Sequence, residues 1–281
     1  MGEVLKLSFE QKEELAEVYD EQKLEYEASL ATALTAFFIR IGRDFTNIYS
    51  ATSEIIDANE YSDELTGILK ESYLETSDYF SKHFERGLTQ QLDTDDPKLL
   101  ESTALSLAIL NIKRPQIDKD IIQYINTQTP IQAGYILDTT NEVFDKSILQ
   151  AIESLELEEI DINSSSVGRA SGKIANERNL NRVGTIKETE IANASSESMS
   201  TEARNLQEGY NDQGLAFEIL KQWITKLDSA VRPSHVSAHG QARETTKLFN
   251  VGGEELMYPT DTSHGASLGN TINCRCLSIN T

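Results

Sequence analysis

The first 96 residues contain no proline, and their only glycines are at positions 2, 42, 67 and 87. A stretch of that length, nearly free of the two residues that most often interrupt a helix, is expected to fold as long helices. Ser8 with Gln11 three residues on is a capping-box pattern. It precedes Leu15, Val18, Tyr19, Leu24, Leu30, Leu34, Phe37, Phe38 and Ile41, many of them spaced by threes and fours. That stripe leaves Glu10, Lys12, Glu13, Glu14, Glu17, Asp20, Glu21 and Lys23 to face water, so one long amphipathic helix is expected. Met1-Gly2 does not open a myristoylation pattern, because Lys6 stands where Ser or Thr is needed.

Asp96-Pro97 reads as an N-cap followed by proline in the first helical turn, and it opens the run LLESTALSLAILNI. Arg114-Pro115 reads as the end of that helix. Further helices are expected over 118–126 and 139–156. The stretch 162–172, with three consecutive serines, Gly168 and a Ser-Gly pair, reads as a linker. A second helical region is expected from Val183 to Gln207, although its Ser-Ser-Glu-Ser core forms helix poorly. AFEILKQWITKL fits a strand buried on both faces or a helical stripe, and a strand around Trp223 is preferred. Short strands are expected at 246–251, 255–258 and 276–279.

Charge divides the chain in the same place. The 281 residues carry 46 acidic and 25 basic side chains, a net charge of −21. Residues 1–165 hold 33 acidic and 13 basic groups, while 166–281 hold 13 and 12. Wrapping of nucleic acid by the whole protein and binding to anionic membrane surfaces are thereby disfavoured, because phosphate is repelled. The near-neutral C-terminal part leaves local DNA contact open. The expected fold class is α+β: a large acidic all-helical part over 1–160, a linker over 161–172, and a small mixed α+β module over 173–281. Apolar runs are too short to span a bilayer and no charged-then-apolar leader is present, so a soluble protein made in a reducing compartment is expected.

Three of the four histidines and both cysteines fall in the last fifty residues: His235, His239, His264, Cys274 and Cys276. His235 and His239 share a face if their segment is helical. With Cys274 and Cys276 they make up two imidazoles and two thiols, the composition of a tetrahedral zinc set. A one-residue gap between the cysteines is tighter than the usual two to four. The other reading is that both thiols point to one side of an extended segment and serve as small apolar groups in a core. Asp228, Arg232, His235 and Asp261 form a loose acid–base group, with Asp228 and Arg232 equally suited to an ion pair or turn bonds. Cys274 with His235 is a further, unselected nucleophile–base pair. Trp223 reads as a core anchor. HExxH, P-loop, GxSxG and GxGxxG patterns are absent, so no common hydrolase or nucleotide signature is present.

The order Arg182, Thr189-Glu190, Trp223-Ile-Thr, Asp228, Val231-Arg232-Pro-Ser-His235, His239-Gly240, Phe249, Pro259 and Asn273-Cys274-Arg275-Cys276 resembles the phage Mu protein F-like family of minor head proteins. The resemblance covers 165–281 and rests on VRPSH followed some forty residues later by NCRC. It implies a tailed-bacteriophage virion component, localised in the phage head near the portal vertex, assembled in the host cytoplasm, and acting in head morphogenesis and in DNA packaging or ejection. Trp223, Asp228, Arg232, His235, Asn273, Cys274 and Cys276 are then structural motif residues. Portal protein and major capsid or scaffold protein are the implied partners. Catalysis is not implied; a metal-dependent hydrolase or transferase effector delivered with the DNA is the competing expectation.

Overall fold

In the computed structural model, which describes residues 7–281, Ser8 and Gln11 close the capping box that begins the first helix. Ser8 N–H donates to Gln11 Oε1 at 2.8 Å and Gln11 N–H to Ser8 Oγ at 3.2 Å. The Met1-Gly2 start lies outside the described residues. Helix α1 runs Phe9–Thr52, followed by a short 3-10 turn, α2 (Ser62–Phe80), α3 (His83–Gln91), α4 (Pro97–Leu157) and α5 (Ser164–Asp212). A small antiparallel sheet module follows, so the chain is α+β. Among the described residues no helix is long and apolar enough to cross a membrane.

The chain packs into two compact units, and α1, α2, α4 and α5 each supply residues to both. One unit comprises 27–72 and 126–187. Its core is built from Leu30, Leu34, Phe37, Phe38, Ile41 and Phe45 of α1 with Leu137, Phe144 and Ala151 of α4, all buried. Phe45 and Phe144 stack with ring centroids 4.3 Å apart. The expected linker is not a linker. From Ser164 onward it is helical, and a Cβ on Gly168 would stand 2.2 Å from Ser50 Oγ, one on Gly172 1.8 Å from Thr46 Oγ1. Small residues here let two helices approach closely; their composition looks like that of a loop, but their role is packing.

The other unit comprises 7–26, 73–125 and 188–281. Here α4 passes straight through Arg114-Pro115, where a helix end is expected. An interior proline costs about 3 kcal/mol. Ile109, Leu110, Ile117, Ile121 and Ile125 are buried along that part of the helix, and each such side chain contributes roughly 1.5–3 kcal/mol, so burial wins. Arg114 adds bonds to Ser81 O at 2.9 Å, Glu85 at 3.1 Å and Glu202 at 3.3 Å. The three helices expected between 97 and 156 are thus one.

The serine-rich part of α5 is buried without interruption from Glu190 to Ala203. Two of its hydroxyls bond on the same helix: Ser198 Oγ donates to Ala194 O at 2.6 Å and Ser195 Oγ to Ala192 O at 3.1 Å; Ser198 Oγ also meets Ser77 Oγ at 2.8 Å, and Ser196 Oγ is buried without a partner. Serines small enough to pack closely and able to bond a carbonyl one turn back suit a buried position better than their helix propensity suggests. At the start of α1 the expected stripe also shifts. Lys12 and Lys23 are buried, Lys23 pairing with Asp20 at 2.9 Å, while Val18 and Leu24 are exposed.

The module has a three-stranded antiparallel sheet in the order β2-β1-β5, with β1 at Leu220–Ile224, β2 at Ala242–Glu244 and β5 at Leu277–Asn280. A hairpin of β3 (Phe249–Val251) and β4 (Glu254–Leu256), and two short helices α6 (Pro233–Ala238) and α7 (Leu268–Thr271), complete it. The strand expected around Trp223 is the central one, buried on both faces. Trp223 joins Phe249, Val251 and Leu256 on one side, while Ile224 joins Leu277 and Ile279 on the other.

Candidate metal centre

Each part of the centre is placed by a local rule. Trp223 and Thr225 are two apart at the end of β1, so both side chains leave the same face. Pro233 opens α6 after an extended Arg232, and His235 follows in its first turn. Asn273 takes a left-handed conformation, φ 53°, which asparagine tolerates better than most residues. That turn sends Cys274 and Cys276 inward and Arg275 outward.

The result is a buried cluster. His235 Nδ1 lies 3.3 Å from Cys276 Sγ and 3.5 Å from Cys274 Sγ, and the three residues are at most 2% exposed. Their ligand atoms all fall within 4.8 Å of one another. Both cysteines are free thiols. The Trp223 ring stands edge-on to His235, centroids 5.6 Å apart, and Phe249 stands edge-on to Trp223 at 5.4 Å. The Cys274 thiol hydrogen-bonds to Cys276 and holds it well below the ordinary thiol range, helped by the His235 ring. The same contact, with burial, pushes Cys274 up.

His239 stands apart from this cluster. Its Nδ1 accepts the Thr225 N–H at 3.1 Å, and its Nε2 lies 3.4 Å from Glu13 Oε1. The shared-face argument fails because α6 ends at Ala238 and His239 adopts extended backbone, φ −54° and ψ 132°. It secures the end of β1. The expected Asp228–Arg232 contact is also redistributed. Asp228 Oδ1 accepts the Ala230 N–H at 2.9 Å and Arg275 Nη2 at 2.6 Å, while Arg232 donates to Ile272 O. Asp261 accepts from Met257 N–H at 2.7 Å and holds Ser263 and His264 in its own loop. The loose acid–base group is thus dispersed over separate contacts, and the only side-chain polar partners of His235 are the two sulfurs.

Two residues gain a role that residue-by-residue reasoning does not supply. Thr225, the third residue of Trp-Ile-Thr, sets its hydroxyl beside the Cys276 thiol, and that oxygen is buried and otherwise unpartnered. Thr189 accepts the Asn273 N–H at 2.9 Å. Both stand in the pattern that resembles the Mu F-like family, which was the one signal that singled them out.

Comparison with protein families, curated proteins and solved structures returns no match.

Proposed function

We propose that this chain is a minor head protein of a tailed bacteriophage, held in the head near the portal and acting in head morphogenesis and DNA packaging or ejection. The observation that carries the reading is the mutual contact of the motif residues. Trp223 packs on His235 and Phe249, His235 faces Cys274 and Cys276, Arg232 bonds the carbonyl before Asn273, Asp228 pairs with Arg275, and Asn273 bonds Thr189. Residues scattered along the sequence from 189 to 276 form one connected set, as they would if the pattern specified a single module.

The strongly negative 1–165 stretch is kept off tightly packed DNA and drawn to basic protein surfaces, which suits docking to a portal or to internal scaffold. Residues 166–281, with 13 acidic and 12 basic groups, are close to neutral and are the part left free to touch DNA.

The test is quantitative mass spectrometry of purified DNA-filled particles from the strain that encodes the chain. Peptides at a few copies per particle, co-purifying with portal protein, are the expected result. Presence in procapsids and absence from filled particles would make it a scaffold-like factor instead, and absence from both would sink the reading. Removing 1–160 is a poor probe of docking, because residues 7–26 and 73–125 belong to the unit that contains the module.

A further inference from the structure

We propose that His235 Nδ1, Cys274 Sγ and Cys276 Sγ bind a zinc ion, with an oxygen ligand, the Thr225 hydroxyl or a water it holds, in the fourth position.

The spacing carries the argument. With zinc–sulfur bonds of about 2.3 Å and zinc–nitrogen bonds of about 2.1 Å, tetrahedral angles separate nitrogen from sulfur by about 3.6 Å. The two nitrogen–sulfur distances are 3.3 Å and 3.5 Å, within a few tenths of an ångström of that value, and all three ligand atoms lie within 4.8 Å of one another. Nδ1 is also the ring nitrogen with partners; Nε2 is buried with none. The only side-chain polar partners of the ring are the two sulfurs.

Charge agrees with geometry. Two thiolates and a neutral imidazole cancel the charge of a divalent ion, so the complete centre is neutral and its burial carries no net-charge penalty. Softness agrees as well, since two thiolates favour zinc over magnesium or calcium, which take oxygen ligands. A purely apolar role accounts for two buried thiols, but not for an imidazole in the same core with no other polar partner.

The ion would join α6 to the segment leading into β5 and close the chain between 235 and 276. It would then hold β5 in place beside β1, where the sheet already registers Trp223 against Ser278 and Ile224 against Leu277. This role is structural, and it stands or falls independently of the virion reading: metal content is measured on the isolated protein, virion membership on particles.

The experiment uses the full chain, purified without a histidine tag under reducing conditions, with metal measured by plasma mass spectrometry before and after dialysis against EDTA. About one zinc per chain that survives dialysis is expected. Cobalt substitution should give the intense near-ultraviolet absorption of thiolate-bound cobalt in a four-coordinate site. Cys274→Ser and Cys276→Ser should lose the zinc, while His239→Ala should keep it. If the serine variants do not fold, the cobalt spectrum of the unmodified chain decides the point. Folded, zinc-supplemented protein without bound metal and with no thiolate–cobalt band would overturn the proposal. So would a site that retains only copper or iron, or metal loss in His239→Ala with retention in Cys276→Ser.

Discussion

The Asn273 backbone N–H donates to the Thr189 hydroxyl at 2.9 Å, tying the turn before the two cysteines to the long helix α5. Asn273 holds φ at 53°, a conformation glycine adopts freely and β-branched residues resist. Asn273→Gly should therefore leave stability within about 0.5 kcal/mol, whereas Asn273→Val should lower it by about 1–2 kcal/mol. Urea unfolding followed by circular dichroism separates the two. Equal losses would mean that the side chain, not the backbone angle, is what the turn needs.

Two glycines on α5 should respond in opposite directions to the same substitution. Gly184 has nothing within 4 Å of a prospective Cβ, so Gly184→Ala should stabilise by about 0.5–1 kcal/mol through helix propensity. At Gly168 the added methyl meets the Ser50 backbone nitrogen at 2.9 Å as well as the Ser50 hydroxyl. Backbone cannot swing aside, so Gly168→Ala should destabilise by about 1–3 kcal/mol despite the better propensity. Melting temperatures of the pair check the sign; a stabilised Gly168→Ala would refute the close helix approach.

Phe144 and Leu149 lie on the same helix, but only Phe144 is buried, stacked on Phe45; Leu149 is 64% exposed. Phe144→Ala should cost about 3–5 kcal/mol, while Leu149→Ala should stay within about 0.5 kcal/mol. Chemical denaturation of both variants compares them directly, and similar losses would contradict the packing.

Glu190 is buried and accepts the Tyr73 hydroxyl at 2.7 Å; burial raises its carboxyl to about 7. Between the unfolded value near 4.5 and that folded value, the folded state keeps a proton that the unfolded chain has released. Stability from this group is thus present at low pH and is lost as pH rises through 7, by an amount on the order of 3 kcal/mol. Glu190→Gln should be more stable than the unmodified protein at pH 8 and no more stable at pH 5. An advantage independent of pH would exclude titration of Glu190 as its cause.

His83 works in the reverse sense. Its Nδ1 contacts the Tyr19 hydroxyl at 2.5 Å, its Nε2 contacts Asn280 O at 2.7 Å, and burial lowers it to about 4. As pH falls below 6.5 the unfolded chain takes up a proton that the folded state refuses, so stability from this group is lost between 6.5 and 4, by about 3 kcal/mol. In His83→Gln the dependence on pH over that window should be shallower, whatever the absolute stability of the variant. Equilibrium unfolding at several pH values measures the slope, and an unchanged slope would assign the acid sensitivity elsewhere.

The helical character of the chain, the capping box at Ser8 and Gln11, the N-cap at Asp96, the central strand at Trp223 and the clustering of cysteine and histidine near the end were legible from residue type and spacing. Asp96 Oδ1 does accept the Lys98 N–H, at 3.0 Å. These are local matters, decided by hydrogen bonds and side-chain directions within a few residues. Arg114-Pro115 and the glycines at 168 and 172 were misread for one reason. Each was judged by backbone propensity, worth at most about 3 kcal/mol, where packing against distant segments contributes more.

By itself the sequence determined which residues have the chemistry for a metal centre: two imidazoles and two thiols within the last fifty residues. Only the tertiary structure decided which of them meet. The end of α6 at Ala238 takes His239 away to Thr225 and Glu13, and the left-handed turn at Asn273 brings Cys274 and Cys276 back to His235. Spacing along a chain sets a shared face only while the backbone remains regular, and both decisive residues lie where it stops being so.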